Sequence, residues 1–281
     1  MPDTPHPILI ASDMSHRSDR AMERAFALGR DRGAEVVVLS VLDDAMPADL
    51  LDTLQSRAVS ALERYAGSLG NEVNYSIRTE LGDPTADILR AVEELDPQLL
   101  VMGMHRPRPF LDALRETTMQ RIVRRTSCPV LLVADRCDHG YDKILAACDF
   151  SPAATSAIAV AHDLAPKATI RPVHALHVPY GGMLAKAPGA RQDLEKPFRR
   201  EAQQNDASWR MHNDLDHLEA TEIIDGPAYS TIRTLADRDQ IDLVCVGAHG
   251  RVGAAPAILG SLASDLMRDP PCDLLIARPA H

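Results

Sequence analysis

A glycine-rich stretch in the second half of the chain carries the residue types best suited to binding chemistry. It begins at Gly247, passes through Gly250 and ends at Gly260 and Ser261, with the spacing G-x2-G-x9-G-S. Glycines let backbone N–H groups turn toward an anion at close range, and the start of a following helix adds about half a positive charge. The serine hydroxyl adds a further donor. The stretch therefore predicts a phosphate-binding loop.

Asp149 gives this loop an acidic neighbour. It ends a short apolar run that predicts the first strand of the second half, and open α/β sheets bind ligands at the carboxyl ends of such strands. We therefore expect its carboxylate near the loop, where it can accept hydrogen bonds from a ribose. A Ser261–His249–Asp149 hydrolytic triad would use the same residues, but the chain lacks the G-x-S-x-G turn of such hydrolases. It also lacks the G-x4-G-K-[ST] loop of P-loop ATPases and a strand-linked G-x-G-x-x-G.

Metal and thiol chemistry are not predicted. His174 and His177 lie on a predicted strand, where residues three apart point to opposite faces, so we expect core or rim histidines rather than a metal pair. The five cysteines lack C-x-x-C spacing and fall mostly in apolar runs, which is typical of reduced core residues. We therefore assign no catalytic and no metal-binding residues.

The first half contains an altered copy of the glycine stretch. It keeps Gly103 and Thr117, but Arg106 and Glu116 stand where the second and third glycines would be. A Cβ at these positions impedes a close phosphate approach, and Glu116 places a carboxylate at the helix start that would otherwise attract an anion. The hypothesis is that Glu116 occupies the anion niche, paired with Arg106, and that this half does not bind nucleotide. Simple drift of an unused loop is the open alternative.

An internal repeat explains why the stretch occurs twice. The run Pro7–Asp13 returns as Lys143–Asp149, each an apolar segment that ends in aspartate. Later landmarks recur 144 positions apart: Gly82 with Gly226, Gly103 with Gly247, His105 with His249, Thr117 with Ser261, and Cys128 with Cys272. A shared spacing across five landmarks indicates a tandem duplication. We predict an N-terminal domain at 1–136 and a C-terminal domain at 141–281, joined by the polar segment 135–140.

Each half alternates short apolar runs with longer segments of helical period, the pattern of βαβ units with a parallel sheet. Strands are predicted near 7–12, 35–41, 72–79, 98–102 and 129–134, and near 143–148, 169–178, 217–224, 242–247 and 272–277. Helices are predicted at 15–32, 48–69, 84–95 and 117–125, with Asp83 as N-cap and Pro84 at the first helical position. The expected fold is α/β, with two tandem Rossmann-like five-stranded parallel sheets.

Composition and charge limit the partners. The 281 residues are 45% hydrophobic and 25% charged, as in globular proteins, and the net charge of −10 opposes binding to nucleic acid or anionic membranes. The chain has no basic N-terminal region before an apolar stretch and no run of 18 apolar residues. We therefore expect a cytoplasmic protein that binds neither nucleic acid nor membrane.

With these motifs the chain resembles the universal stress protein family over nearly its whole length, as two tandem copies. The glycine spacing between a strand and a helix, the strand-end aspartates and the turn Gly82-Asp83-Pro84 carry the resemblance. It implies a sheet order of 3-2-1-4-5, a pairing of domains through the last strand, and an adenine-nucleotide site. The ligand would be ATP or AMP, with or without Mg²⁺.

The resemblance also implies a role for each residue of the site. Asp149 would bind the ribose, Ala147 and Val178 would border the adenine, and the remaining residues would form the floor and hold the phosphates. The implied set is Ala147, Asp149, Val178, Val246, Gly247, Gly250, Gly260, Ser261, Leu262 and Ala263.

Three functions are compatible with the sequence. The preferred one is a stress-response protein that binds one ATP or AMP in its C-terminal domain and is not an enzyme, with its two domains packed as an intramolecular pseudo-dimer and a homodimer also open. The second is a slow ATPase or nucleotide hydrolase on the same crevice, with His249 or a bound water as the base. The third is a scaffold that binds no nucleotide.

Overall fold

The computed structural model of the chain describes residues 6–43, 48–70, 72–104, 116–134, 136–179, 188–215, 218–249 and 259–279. The chain divides into two compact units. The first unit comprises Met1–Gly140 and Asp273–Ile276, and the second comprises Tyr141–Cys272 and Ala277–His281. Both units are built from strands that alternate with helices. Charged side chains such as Arg171 and Glu222 form ion pairs at the surface.

The elements in chain order are β1 (Ile8–Ala11), α1 (His16–Arg32), β2 (Val36–Leu42), α2 (Ala48–Ser68), β3 (Tyr75–Leu81), α3 (Pro84–Leu95), β4 (Leu99–Gly103), α4 (Thr118–Arg125) and β5 (Val130–Val133). They continue with β6 (Lys143–Ala147), α5 (Pro152–Leu164), β7 (Thr169–Leu176), α6 (Pro188–His212), β8 (Glu222–Asp225), α7 (Ala228–Asp239), β9 (Leu243–Gly247), α8 (Ser261–Arg268) and β10 (Asp273–Ala277). No helix among the described residues has the length and apolarity needed to span a bilayer.

The sheet of the first unit has the predicted order. Its strands run β3-β2-β1-β4-β5, and each neighbouring pair is parallel. The strand β10 extends this sheet by antiparallel pairing with β5, which places Leu274 opposite Leu132. The second unit repeats the arrangement as β8-β7-β6-β9, again with parallel neighbours. The α/β fold class and the sheet order are therefore confirmed.

The core explains why the central strands have no polar alternation. Ile8, Leu9 and Ile10 of β1 are fully buried, as are Leu243, Val244 and Cys245 of β9, because helices cover such sheets on both faces. Carboxyl ends of neighbouring parallel strands then meet at one edge of each sheet, which is where a ligand can reach backbone groups.

Local signals set several helix ends as predicted. The Asp83 side chain accepts a hydrogen bond from Ala86 N at 2.9 Å, and Pro84 occupies the first helical position. Ser15 caps α1 through its side chain, and α1 ends at Gly33 in the left-handed conformation. The predicted α3 bounds match the structure, whereas predicted β3 begins three residues early, at 72 instead of Tyr75.

The second unit shows the larger differences. The strand predicted at 217–224 is the short β8, because Leu218 donates its N–H to the Leu215 carbonyl in a turn before the strand. The strand predicted at 169–178 ends at Leu176. Beyond it, Val178 packs on α6 in a cluster with Leu176 and Ala202.

A buried ion pair holds β10 in the first unit. The Asp273 carboxylate accepts a hydrogen bond from Ala134 N at 2.8 Å and lies 3.4 Å from Arg24 Nε. Arg24 also donates to the His139 carbonyl at 2.7 Å. The two charged side chains are only 4% and 1% exposed, so water screens neither of them.

Candidate functional site

A cleft of about 220 Å³ opens at the carboxyl edge of the sheet in the second unit. The ends of β6 and β9, a stretch of β7, one face of α7 and the start of α8 form its walls. Its lining residues are Ala147, Cys148, Asp149, Val173, His174, Ala175, Ala228, Ile232, Val246, Gly247, His249, Gly260, Ser261, Leu262 and Ala263.

Eight of the ten residues implied at the nucleotide site line this one cleft. They are Ala147, Asp149, Val246, Gly247, Gly260, Ser261, Leu262 and Ala263. Gly250 lies outside the described residues. The tenth, Val178, is buried in the cluster with Leu176 and Ala202 and is not among the lining residues.

Strand register explains why Val178 lies elsewhere. Ala11 pairs with Leu39 in the first unit, whereas the corresponding Ala147 pairs with Val173 in the second. Two residues further along, Ala175 therefore matches Val41 of the first unit. The segment Val173-His-Ala-Leu-His-Val178 contains two similar triplets, Val-His-Ala and Leu-His-Val. Ala175, which ends the first triplet, lines the cleft, whereas Val178, which ends the second, is not among the lining residues.

The start of α8 provides donors for an anion. Gly260 is its N-cap and, having no side chain, gives no capping hydrogen bond. Within the described part of the chain, the N–H groups of Ser261, Leu262 and Ala263 have no acceptor, and all three residues line the cleft. Three aligned N–H groups and the helix dipole make this end of the cleft attractive to phosphate.

Two backbone hydrogen bonds fix the ends of the glycine loop. Gly260 N donates to the Ala248 carbonyl at 2.7 Å, and Ala248 N donates to the Ala277 carbonyl at 2.8 Å. The next residue, His249, lines the cleft, and its buried Nδ1 has no hydrogen-bond partner among the described residues. A buried ring nitrogen without a partner is costly, so a bound polar ligand would stabilise it.

A group of aromatic rings supports the Asp149 turn. Asp149 Oδ1 accepts a hydrogen bond from Ser151 N at 3.0 Å, and Phe150 between them has a φ of +64°. That conformation is unfavourable for a bulky residue. The Phe150 ring stacks on His174 with a centroid distance of 4.7 Å and meets Trp209 edge-on at 5.8 Å. These contacts hold the turn in place.

The arrangement gives little support for nucleophilic catalysis. His174 Nδ1 lies 2.8 Å from the Cys148 carbonyl, so it donates its proton there and serves a structural role. His249 is not oriented by a carboxylate through Nδ1, as a triad histidine would be. Burial raises the pKa of the Cys148 thiol, which removes it as a thiolate nucleophile. Among the described residues, no group of three or more His, Cys, Asp or Glu side chains could hold a metal.

Gly247 is required for packing as well as for the cleft. A Cβ built on it would lie 2.7 Å from Ala153 Cβ and 3.0 Å from Ala154 N, at the start of α5. Gly103 of the first unit has the same role, because its Cβ would lie 2.7 Å from the carbonyl of Arg17. These glycines let a helix start approach the strand end closely.

Replacing Gly247 by alanine is therefore expected to lower the free energy of unfolding by about 1–3 kcal/mol, because the close backbone neighbours leave no room for a methyl group. Urea unfolding followed by circular dichroism measures the change. Gly140→Ala is the matched control, since no heavy atom among the described residues lies within 4 Å of its added Cβ. Equal stability of the two variants would contradict the packing role.

The first unit has a corresponding cleft of about 690 Å³ at its own carboxyl edge. There Asp13 Oδ1 accepts hydrogen bonds from Ser15 N at 3.0 Å and from the Ser18 hydroxyl. Burial raises the pKa of Asp13, but the bonds from Ser15 and Ser18 outweigh it and hold the pKa below its ordinary value. Ala154 of the second unit has no such hydroxyl, so Asp149 does not receive this bond.

The start of α4 differs from that of α8. Thr117 and Gln120 form a capping box, with Gln120 N donating to Thr117 Oγ1 at 3.2 Å and Thr117 N donating to Gln120 Oε1 at 2.9 Å. The preceding Glu116 forms an ion pair with Arg124 at 2.9 Å. Arg106, its predicted partner, lies outside the described residues. Two of the N–H groups at this helix start, those of Thr117 and Gln120, are thus satisfied by side chains of the chain itself.

Residues that sequence reasoning missed lie on β7 and α7. Val173, His174 and Ala175 needed the strand register, which motif spacing does not supply. Ala228 and Ile232, four positions apart on one helix face, match Pro84 and Ile88 of the first cleft at the repeat spacing of 144. Extending that spacing from the glycine stretch to α7 would have found them.

Comparisons with known proteins agree with this architecture. Residues 5–134 and 140–278 each match the model of the universal stress protein family. A universal stress protein from Archaeoglobus fulgidus DSM 4304 is 18% identical and superposes with a TM-score of 0.69, covering 98% of this chain and 99% of its own. A protein of unknown function from Pseudomonas aeruginosa PAO1 is also 18% identical, with a TM-score of 0.66 and coverage of 98% and 93%. No curated protein sequence matches the chain.

Proposed function

Because the chain belongs to the universal stress protein family, in two tandem copies, we propose that it is a stress-response protein that binds one ATP or AMP in the cleft of the second unit. The first unit, in this proposal, does not bind nucleotide. Binding rather than turnover is the proposed activity.

The observation that carries the proposal is the uncapped start of α8. Three N–H groups without acceptors in the described part of the chain face a cleft that also contains the partnerless Nδ1 of His249. At the corresponding helix start in the first unit, Thr117 and Gln120 form a capping box, and the Glu116 carboxylate precedes it. An anion is the group that satisfies several converging N–H donors at once.

The other end of the cleft is suited to a nucleoside. Asp149 is the carboxylate for the ribose hydroxyls, as the family resemblance implies. Ala147, Ala175 and Ile232 supply small and apolar surfaces for a planar base. In this proposal Ala175 replaces Val178 beside the adenine, and Gly250 remains a phosphate-binding residue predicted from the motif.

Hydrolysis is the alternative that shares this cleft. Hydrolysis would need an oriented base and a site for Mg²⁺. Among the described residues, His249 is the one candidate for the base and Asp149 the one candidate ligand for Mg²⁺ in this cleft. Any Mg²⁺ would arrive with the phosphates. Pairing of the two copies as a pseudo-dimer, and of two chains as a homodimer, remains a prediction of the resemblance.

Calorimetric titration of ATP and AMP into nucleotide-stripped protein tests the proposal, with the recovered nucleotide assayed for ADP. We expect one equivalent to bind and to be returned intact, since the start of α8 has Gly260 where the start of α4 has the Glu116 carboxylate. Gly250→Arg copies Arg106 of the first half and should abolish binding.

The outcomes separate the three functions. Conversion of ATP to ADP, abolished by Gly250→Arg, would replace the proposal by the hydrolase. Two equivalents would contradict the closed first unit, and the absence of binding would leave the scaffold function.

A further inference from the structure

The first unit retains a cleft although its nucleotide features are closed. The cleft is open to solvent, and its volume of about 690 Å³ exceeds the 220 Å³ of the second cleft. The first unit therefore has room for a ligand at this edge of its sheet.

In this cleft, several groups that would bind a nucleotide form hydrogen bonds within the chain instead. Asp13 accepts hydrogen bonds from Ser15 and Ser18, the start of α4 carries its capping box, and the carboxylate of Glu116 precedes that helix. A polyphosphate would meet this carboxylate and find the N–H groups of Thr117 and Gln120 already hydrogen-bonded. The ligand must carry less charge than ATP and bind through another group.

Arg17 is the group available. It lines the cleft from the first turn of α1, where the second unit has Ala153. Among the described residues it forms no hydrogen bond and no ion pair, and its Nη1 is buried without a partner. This is unusual in a chain with ten more acidic than basic residues, since a partly buried guanidinium is normally paired.

Part of the wall is apolar and deformable. Leu39, Val41, Ile88 and Ile122 provide branched aliphatic surface, and Met102 and Met119 provide unbranched side chains that adapt to ligand shape. The polar part of the wall consists of Ser12, Asp13, Ser15, His16, Ser18 and Thr118. The apolar part favours the hydrocarbon body of a ligand. The guanidinium fork matches the planar geometry of a carboxylate.

We propose that the cleft of the first unit binds an organic acid with an apolar body, whose carboxylate pairs with Arg17. This site is independent of the nucleotide site in the second unit, so either can exist without the other. Asp13 and His16 are the other ionisable residues of the lining, and Asp13 is held by its own hydrogen bonds.

The test is calorimetric titration of the full chain with linear carboxylates of about four to twelve carbons, beside the alcohols of equal length. An ion pair in a partly buried site should favour an acid over its alcohol by about tenfold or more. Arg17→Met keeps the length and apolar volume of the side chain and should remove this preference. Gly260→Glu alters only the second cleft and should leave it intact.

Methyl-¹³C methionine spectra locate the ligand without any variant that could misfold. Signals of Met102 and Met119 should shift on addition of the acid, and ATP should not reverse the shift. The proposal is overturned if no acid binds more tightly than its alcohol, if Arg17→Met keeps the preference, or if these two signals stay fixed.

Discussion

Replacing Gly260 by glutamate is expected to weaken ATP binding by about 100-fold, because it recreates in the second unit what Glu116 does in the first. The backbone of Gly260 has φ −64° and ψ 153°, which any residue can adopt, so the fold should accept the side chain. A carboxylate about 4 Å from a phosphate charge is unfavourable by roughly 4 kcal/mol at an effective dielectric of 20, and salt screens part of this.

Gly260→Ala separates charge from the loss of glycine. Alanine adds a Cβ but no carboxylate, so its affinity for ATP should stay close to wild type. Calorimetry at low and high ionic strength measures both variants, and the deficit of Gly260→Glu should shrink as salt increases. Equal losses for the two variants would mean that Gly260 is needed for close backbone approach, and no loss for either would remove the phosphates from the start of α8.

Replacing Asp273 by alanine is expected to lower the free energy of unfolding by about 3–5 kcal/mol, the largest effect on stability predicted for this chain. The change leaves the buried Arg24 without its carboxylate and Ala134 N without its acceptor. Removing one partner of a buried pair is costly because the remaining charge stays in a poorly solvated environment. Differential scanning calorimetry measures the loss.

An exposed ion pair of the same unit provides the comparison. Arg30 and Glu72 lie 3.2 Å apart, but their side chains are 43% and 77% exposed, so Glu72→Ala should cost less than about 1 kcal/mol. The double variant Arg24→Met with Asp273→Leu should recover much of the loss, because a matched apolar pair removes both buried charges. A small effect of Asp273→Ala would show that water reaches Arg24.

Sequence reasoning succeeded where a residue type has a local cause. Asp83 and Pro84 specify a helix start through one hydrogen bond and one fixed dihedral, and apolar runs specify buried parallel strands. The strand-end Asp149, the two ends of the glycine stretch and the start of α8 line one cleft.

Sequence reasoning was less successful for residues whose position depends on the pairing of strands that are distant in the sequence. Val178 and Ala175 end two similar triplets, and the pairing of Ala147 with Val173 is what brings Ala175 to the cleft. Similarly, Glu116 pairs with Arg124, about two helix turns further along the chain, although nothing in the sequence motif favours it over other arginines. That Arg17 has no partner among the described residues is likewise a property of the folded structure.

The antiparallel pairing of β10 with β5 affects how the protein is made. Leu132 and Leu274 are distant in sequence, so Leu132 emerges from the ribosome long before Leu274. Until β10 emerges, β5 is an apolar strand with an open edge, which is a template for aggregation. Contacts of such sequence separation also slow folding, so we expect the first unit to reach its final sheet only after the chain is complete.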